Sequence, residues 1–205
     1  MARLDRWHAD GEVLSITLSV TDYQTLFYSN SHVELIEKEW GAKFLSKALG
    51  ISTVLVTGDK RIPVIKRSSH VGEYPGCLDV FGGHIDVERA GDVVAAMRDE
   101  LFEEVGLSGG LSLMCLGLVE NAAAKKPELV FLAKTLMTSE EIEKSAENAV
   151  DRSEYRDILT VAQNRAEIDA FLKHHRGQFS PSGYASLFLY NDLFDSIDLN
   201  SSFFA

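Results

Sequence analysis

From Glu12 to Val20 polar and apolar residues alternate, with Val13, Ile16, Leu18 and Val20 prominent, and this period of two predicts a strand. Past His32 the spacing lengthens. Val33, Ile36, Trp40, Phe44 and Leu45 recur at helical intervals and predict one helix reaching Leu49. Residues 1–50 therefore read as a strand-helix extension ahead of a core domain over 51–205. Ile51 to Thr57 is β-branched and apolar, Gly58-Asp59 signals a turn, and Ile62 to Lys66 returns, so a hairpin is expected. Residues 68 to 77 are a loop by composition, and Leu78 to Phe81 form a short buried strand that delivers Gly82-Gly83.

Asp92 is placed to cap a helix to Val105 whose core stripe is Val94, Met97, Leu101 and Val105. Leu111–Glu120 and Leu129–Leu136 read as two further strands, and Ser139 opens a short helix. Tyr155–Val161 reads as a strand. Asn164 caps a helix to about His175, and Ser182 caps a last one to about Phe194.

The helix after the glycine pair carries Glu100, Glu103 and Glu104, whose i, i+3, i+4 spacing puts them within an arc of roughly 100°. Two like charges about 4 Å apart repel by about 4 kcal/mol at an effective dielectric near 20. Only Arg98 lies in that helix to offset them. A hard divalent ion such as Mg²⁺ converts this repulsion into binding. Taken alone, such an acidic run is more often a solvated face.

Composition narrows the setting. With 205 residues, 45% hydrophobic and 25% charged, the chain can bury one substantial core. A net charge of −11 opposes broad affinity for nucleic acid or anionic membranes. No apolar run approaches the roughly 20 residues of a membrane span, and Met1 to Trp7 is not a signal peptide, so a soluble, cytoplasmic protein is expected. Cys77 and Cys115 stand in no metal-ligand spacing and read as buried free thiols.

The segment from the glycine pair through Arg98, Glu100-Leu101-Phe102-Glu103-Glu104, Gly106 and Leu107 resembles the Nudix box. Its first half departs from the family pattern. Sixteen residues separate Gly83 from Glu100 where the family has fourteen, Asp99 intervenes between Arg98 and Glu100, and Glu88 can supply the early glutamate only if Gly82 is its glycine. A π-bulge at residues 97–100 that absorbs Asp99 would restore the usual Arg–Glu relation. The stretch before the box, through Arg67-Ser68, Val71, Glu73-Tyr74-Pro75-Gly76, Leu78-Asp79-Val80 and Gly82-Gly83-His84, is similar to a divergent Nudix group that includes UDP-glucose/UDP-galactose diphosphatases. That group usually has Pro before the glycines and after the His, where this chain has Phe81 and Ile85.

The resemblance implies an α/β/α sandwich on a mixed sheet and Mg²⁺, or Mn²⁺, held by Glu100, Glu103, Glu104 and the carbonyl of Gly83. It further implies a carboxylate from a later loop, with Glu154 the first choice and Glu120 the second. Arg67 reads as a phosphate-binding fork or a surface cation. Glu73 and Tyr74 are candidate substrate contacts. Tyr74, Trp40 and Phe81 are each open to base stacking or to plain packing. His84 reads as a turn-packing residue, and His174-His175 as a helix end.

The reaction implied is hydrolysis of a UDP-sugar, a small-molecule partner, to UMP and sugar 1-phosphate. ADP-ribose or another nucleotide is the alternative substrate, and a nucleotide-binding module without turnover the alternative class. The extension is open to packing on its own core or to exchange within a homodimer.

Overall fold

The computed structural model describes residues 1–197. Among these residues nine strands and six α-helices follow one another as β1 (Ala2–Asp10), β2 (Val13–Val20), α1 (Tyr23–Ser31), α2 (Val33–Glu39), β3 (Gly50–Val56), β4 (Arg61–Arg67), β5 (Leu78–Asp79), β6 (Phe81–His84), α3 (Val93–Val105), β7 (Ser112–Asn121), β8 (Lys126–Lys134), α4 (Ser139–Ala146), β9 (Tyr155–Ala162), α5 (Arg165–His174) and α6 (Pro181–Asp192). The central sheet is mixed and runs β6-β3-β8-β7, with β3 and β8 parallel and the other pairs antiparallel. A second, antiparallel sheet runs β5-β4-β9.

The alternation along β3 explains the layering. Ile51 and Leu55 pack with Met97, Leu101 and Val105 of α3 and with Ile142 of α4, while Val54 and Val56 pack with Ile168 and Leu172 of α5 and Leu187 of α6. A strand buried on both faces reads as a continuous apolar run, and β3 is buried at every position. The expected α/β/α sandwich on a mixed sheet follows from this.

Several local expectations change. The hairpin expected from residues 51–66 has its turn, closed by Thr57 N–H to the Arg61 carbonyl at 2.9 Å, but β3 and β4 lie in different sheets. Both edges of β3 are already taken by β6 and β8. The strand expected from Leu78 to Phe81 is two, since the chain leaves Ile65 of β4 at Asp79 and joins Thr53 of β3 at Phe81.

The extension is a hairpin plus two short helices rather than one strand and one helix. Its long helix stops at Glu39, because Gly41 takes φ 91° and Ala42–Phe44 forms a 3₁₀ turn. Trp40 and Phe44 are consequently exposed, while Val33, Ile36 and Leu45 form a small cluster. Strand β1 ties the extension to the core through Ala2 N–H to the Ile85 carbonyl at 2.7 Å and Leu49 N–H to the Ala2 carbonyl at 2.9 Å.

Helix α3 is α-helical throughout, so the π-bulge at residues 97–100 is absent. Arg98 instead reaches the Leu111 carbonyl, and Asp99 pairs with Arg89. The last helix is capped by Ser180 Oγ on Gly183 N–H at 2.9 Å, with Pro181 in its first turn, so Ser182 lies inside it. Strand β8 ends before Leu136, which is exposed. Cys77 is half-buried and Cys115 exposed, both free. Among the described residues no helix is long and apolar enough to cross a membrane.

Candidate active site

Close approach accounts for both glycines of the turn. A Cβ at Gly82 would meet the Ile51 carbonyl oxygen at 2.1 Å, and one at Gly83 would meet the Glu100 carboxyl oxygens at 2.5 Å. Strand β6 is thus pressed onto β3 on one side and the acidic helix on the other. Helix α3 is fixed at both ends, by Asp92 accepting from Ala95 N–H at 2.9 Å and by Gly106 in the left-handed region at φ 71°. Beside it lies a cleft of about 370 Å³.

The trio on α3 faces this cleft from three depths. Glu104 is buried and accepts from Gly82 N–H at 2.8 Å, and its own carbonyl accepts from the Tyr155 hydroxyl at 2.8 Å. Glu100, half-buried, lies against Gly83, and Glu103 is exposed at the rim. Glu154 ends the 3₁₀ turn before β9, is exposed, and borders the same cleft, as do Asp86 and Asp151. Glu120 faces away into a neighbouring cavity and does not join the group.

Burial pushes the Glu100 carboxyl up to about 8, reinforced by Glu103, Glu154, Asp151 and Asp86. Burial, then Glu100, raises Glu104 well above the carboxylate range, against the opposing pull of the Gly82 amide. Glu103 is also raised, by burial and then Asp151. Among the described residues none of Glu100, Glu103, Glu104 and Glu154 makes an ion pair, and no three acidic, histidine or cysteine groups form a ready-made metal-ligand cluster. The donors are hard oxygens whose mutual repulsion a divalent cation would relieve, so the residues fit Mg²⁺ or Mn²⁺ by chemistry.

The opposite wall is also charged but internally matched. Arg67, at the end of β4, donates from Nε to the Glu73 carbonyl at 3.1 Å and lies 3.4 Å from Asp79 Oδ2. Glu73 accepts from Lys126 Nζ at 2.8 Å and from Asn30 Nδ2 at 3.1 Å, and His84 Nε2 stands 3.4 Å away. Burial raises Glu73, but Lys126 and then His84 and Arg67 pull it below the usual range. Burial, with Lys126 behind it, lowers His84 to about 4, so the imidazole is neutral at pH 7.

Tyr74 takes a left-handed backbone at φ 47°, and its hydroxyl accepts from Asn121 Nδ2 at 2.8 Å. Of the other aromatic candidates, Phe81 is fully buried edge-on to Tyr155, and Trp40 does not border the cleft. His174 and His175 lie at the α5 end, away from it.

Asp79, Lys126 and Glu128 were not among the candidates read from sequence. Asp79 and Glu128 are buried carboxylates inside the apolar runs Leu78–Phe81 and Glu128–Phe131. A charged residue within such a run is the informative signal. Glu128 fits because it pairs in register with Gly50, where a Cβ would meet its Oε2 at 2.2 Å. Burial pushes its carboxyl up to about 7, against the pull of Lys126.

No protein-family model matches the chain. Nudix hydrolase 9 of Arabidopsis thaliana is 27% identical over 179 residues, which cover 72% of this chain and 57% of that protein. The uridine diphosphate glucose pyrophosphatase NUDT22 of Homo sapiens is 28% identical over 163 residues, 65% of this chain and 54% of that protein. The chain therefore spans little more than half the length of these relatives. Among solved structures, DR0079 of Deinococcus radiodurans superposes with a TM-score of 0.51 at 14% identity over 69% of this chain and 80% of that one. The Nudix domain of Shewanella oneidensis NrtR, solved with ADP ribose, gives 0.50 at 15% identity over 78% and 97%. The chain is thus similar in sequence to Nudix hydrolases and shares the fold of the solved Nudix domain.

Proposed function

We propose that the protein is a metal-dependent hydrolase of nucleoside diphosphate derivatives and that its substrate is a UDP-sugar, split to UMP and sugar 1-phosphate. The observation that carries this is the set of α3 carboxylates that make no ion pair among the described residues, Arg98 of the same helix being turned to the Leu111 carbonyl, set against the glycine turn. The similarity to uridine diphosphate glucose pyrophosphatases supports the choice of sugar nucleotide.

Glu100, Glu103, Glu104 and the Gly83 carbonyl would hold the divalent cation, which when bound supplies charge neutralisation for the diphosphate and acidifies water. The protein's own groups do the rest. Gly82 N–H fixes the Glu104 carboxyl, and Tyr155 fixes the helix turn that carries it. Arg67 presents guanidinium donors to a phosphate across the cleft. Glu154 at the rim accepts a proton from the attacking water. The water oxygen bonds to one phosphorus, the bridging oxygen leaves with the other phosphate, and the released protons pass to solvent. Glu73 and Tyr74 shape the substrate side, with Glu73 setting the position of Lys126.

The test is coupled phosphate release from UDP-glucose, UDP-galactose, ADP-ribose, dinucleoside polyphosphates and nucleoside triphosphates, with and without Mg²⁺. Mg²⁺-dependent turnover is expected, fastest with the UDP-sugars and abolished in Glu104→Gln. Preference for ADP-ribose would move the substrate assignment. Nucleotide binding without metal-dependent turnover on any substrate would make the chain a binding module.

A further inference from the structure

A second cavity of about 410 Å³ adjoins the cleft, and the two share Tyr74, Lys126, Glu128 and Ser182 as common walls. Their chemistry differs. The cleft is ringed by carboxylates, whereas the second cavity sets Phe179, Tyr184, Pro181 and Val119 alongside Glu120 and Arg176. Together they fall in the roughly 300–1,000 Å³ range of small-molecule sites, whose walls are mostly apolar with a few placed polar groups.

Resting on the hydrolase reading, we infer that the second cavity seats the nucleoside of the substrate, with the base lying on Tyr184 and the diphosphate running past Tyr74 to the acidic helix. Tyr184 is half-buried at the second position of an aromatic row, edge-on to Phe179 at 6.1 Å and nearly parallel to Phe188. A tyrosine ring turns about only two side-chain torsions, so it loses little entropy when a base stacks on it. Arg176 opens onto the cavity with its guanidinium outside any ion pair among the described residues, so its donors are available to base or ribose oxygens. Asn121 is spent on Tyr74 and on two turn amides, Ala123 and Ala124. It holds Tyr74 in its left-handed backbone at the junction of the two cavities, and a non-glycine residue there persists only when its surroundings hold it.

The alternative occupant of the second cavity is the sugar end, and inhibition by the two products separates them. Tyr184→Ala should raise KM for UDP-glucose and the inhibition constant of UMP by roughly five- to fifty-fold, with kcat within about twofold and glucose 1-phosphate inhibition unmoved. Tyr184→Phe, which keeps the ring, should restore wild-type values and shows that the fold tolerates change at this site. With an active wild type, an unchanged UMP constant, or a change confined to glucose 1-phosphate, would overturn the inference and leave the hydrolase reading intact. If the wild type turns over no nucleotide, the hydrolase reading has failed. Calorimetric titration with UMP then decides the cavity alone: saturable binding lost in Tyr184→Ala supports it, and no binding overturns it.

Discussion

On the α3 wall of the cleft Glu100 and Glu104 have no cation beside them, whereas on the facing wall Glu73 holds Lys126 at 2.8 Å and Asp79 lies 3.4 Å from Arg67. Both walls bury carboxylates, and only one supplies its own counter-charges. Burial raises Asp79 and Glu128 on the matched wall too, but Arg67 and Lys126 pull against it there and Glu73 ends below the usual range, whereas on Glu100 and Glu104 the neighbouring carboxylates add to the effect of burial. The difference teaches where an external cation would act: Glu100 and Glu104 make no ion pair among the described residues, so either protonation or a bound divalent cation would relieve their repulsion.

The largest expected effect comes from breaking the matched wall. Lys126→Met leaves Glu73 and Glu128 without their shared ammonium, and removing one partner of a buried ion pair costs about 3–5 kcal/mol. For a chain of this size that lowers Tm by roughly 6–20 °C at pH 7. Burial and Lys126 together set Glu128 near 7, so at pH 5 that carboxyl is protonated and part of the loss should return. A Tm within about two degrees of wild type at both pH values would show that this wall is not a coupled pair system.

Next in size is the unmatched wall's dependence on metal. Glu103→Gln removes an exposed carboxylate and should leave the fold intact while reducing Mg²⁺-dependent turnover by about a hundredfold or more. The check is kcat across an Mg²⁺ titration. Unaltered turnover and an unaltered Mg²⁺ requirement would place the cation elsewhere.

A gain of stability should accompany loss of function at Glu100. Its folded-state carboxyl sits near 8 against 4.5 for the ordinary value, so the folded protein binds more protons than the unfolded one across that interval. Metal-free stability therefore falls as pH rises from 4.5 to 8. Glu100→Gln flattens that slope, with no gain below pH 4.5 and the full gain above 8. Allowing for relaxation of the side chain, the gain is about 1–2 kcal/mol, or roughly 2–8 °C in Tm. Thermal melts at pH 4, 6 and 8.5 with chelator test it, and added Mg²⁺ should narrow the difference. A destabilised Glu100→Gln protein at pH 8.5 would contradict the repulsion argument.

The same contrast governs what the sequence discloses. The acidic trio lies within five consecutive positions of one helix, so local spacing reveals it, and Asp92 and Gly106 mark the ends. The facing wall is assembled from β4, β5 and β8 with the loop at Glu73, brought together by pairings such as Gly50 with Glu128. No local period reports a contact of that sequence separation. Strand β1 is hidden for a related reason: only Ala2 and Leu4 are buried, Arg3 and Asp5 are half-buried, and from Arg6 on the strand pairs with β2 through its backbone while its side chains are exposed. The misread helix shows the opposite failure, because Trp40, Phe44 and Leu45 keep helical spacing while Gly41 turns the backbone out of it.

The smallest expected effect tests whether residues 1–50 belong to the matched wall. Asn30 of α1 donates to Glu73 Oε1 at 3.1 Å, and Tyr23 and Phe27 of the same helix press on Gly72, where a Cβ would meet them at 2.4 and 2.7 Å. Asn30→Ala removes one hydrogen bond to a carboxylate that Lys126 still holds, so the cost should be about 1 kcal/mol, or roughly 2–4 °C in Tm. KM for the sugar nucleotide should move by no more than about threefold. Gly72→Ala should do more, since the exposed rings of Tyr23 and Phe27 must swing aside to admit the methyl group next to Glu73. If Gly72→Ala instead leaves Tm and KM at their wild-type values, the extension is only adjacent to the cleft, and the matched wall begins at β4.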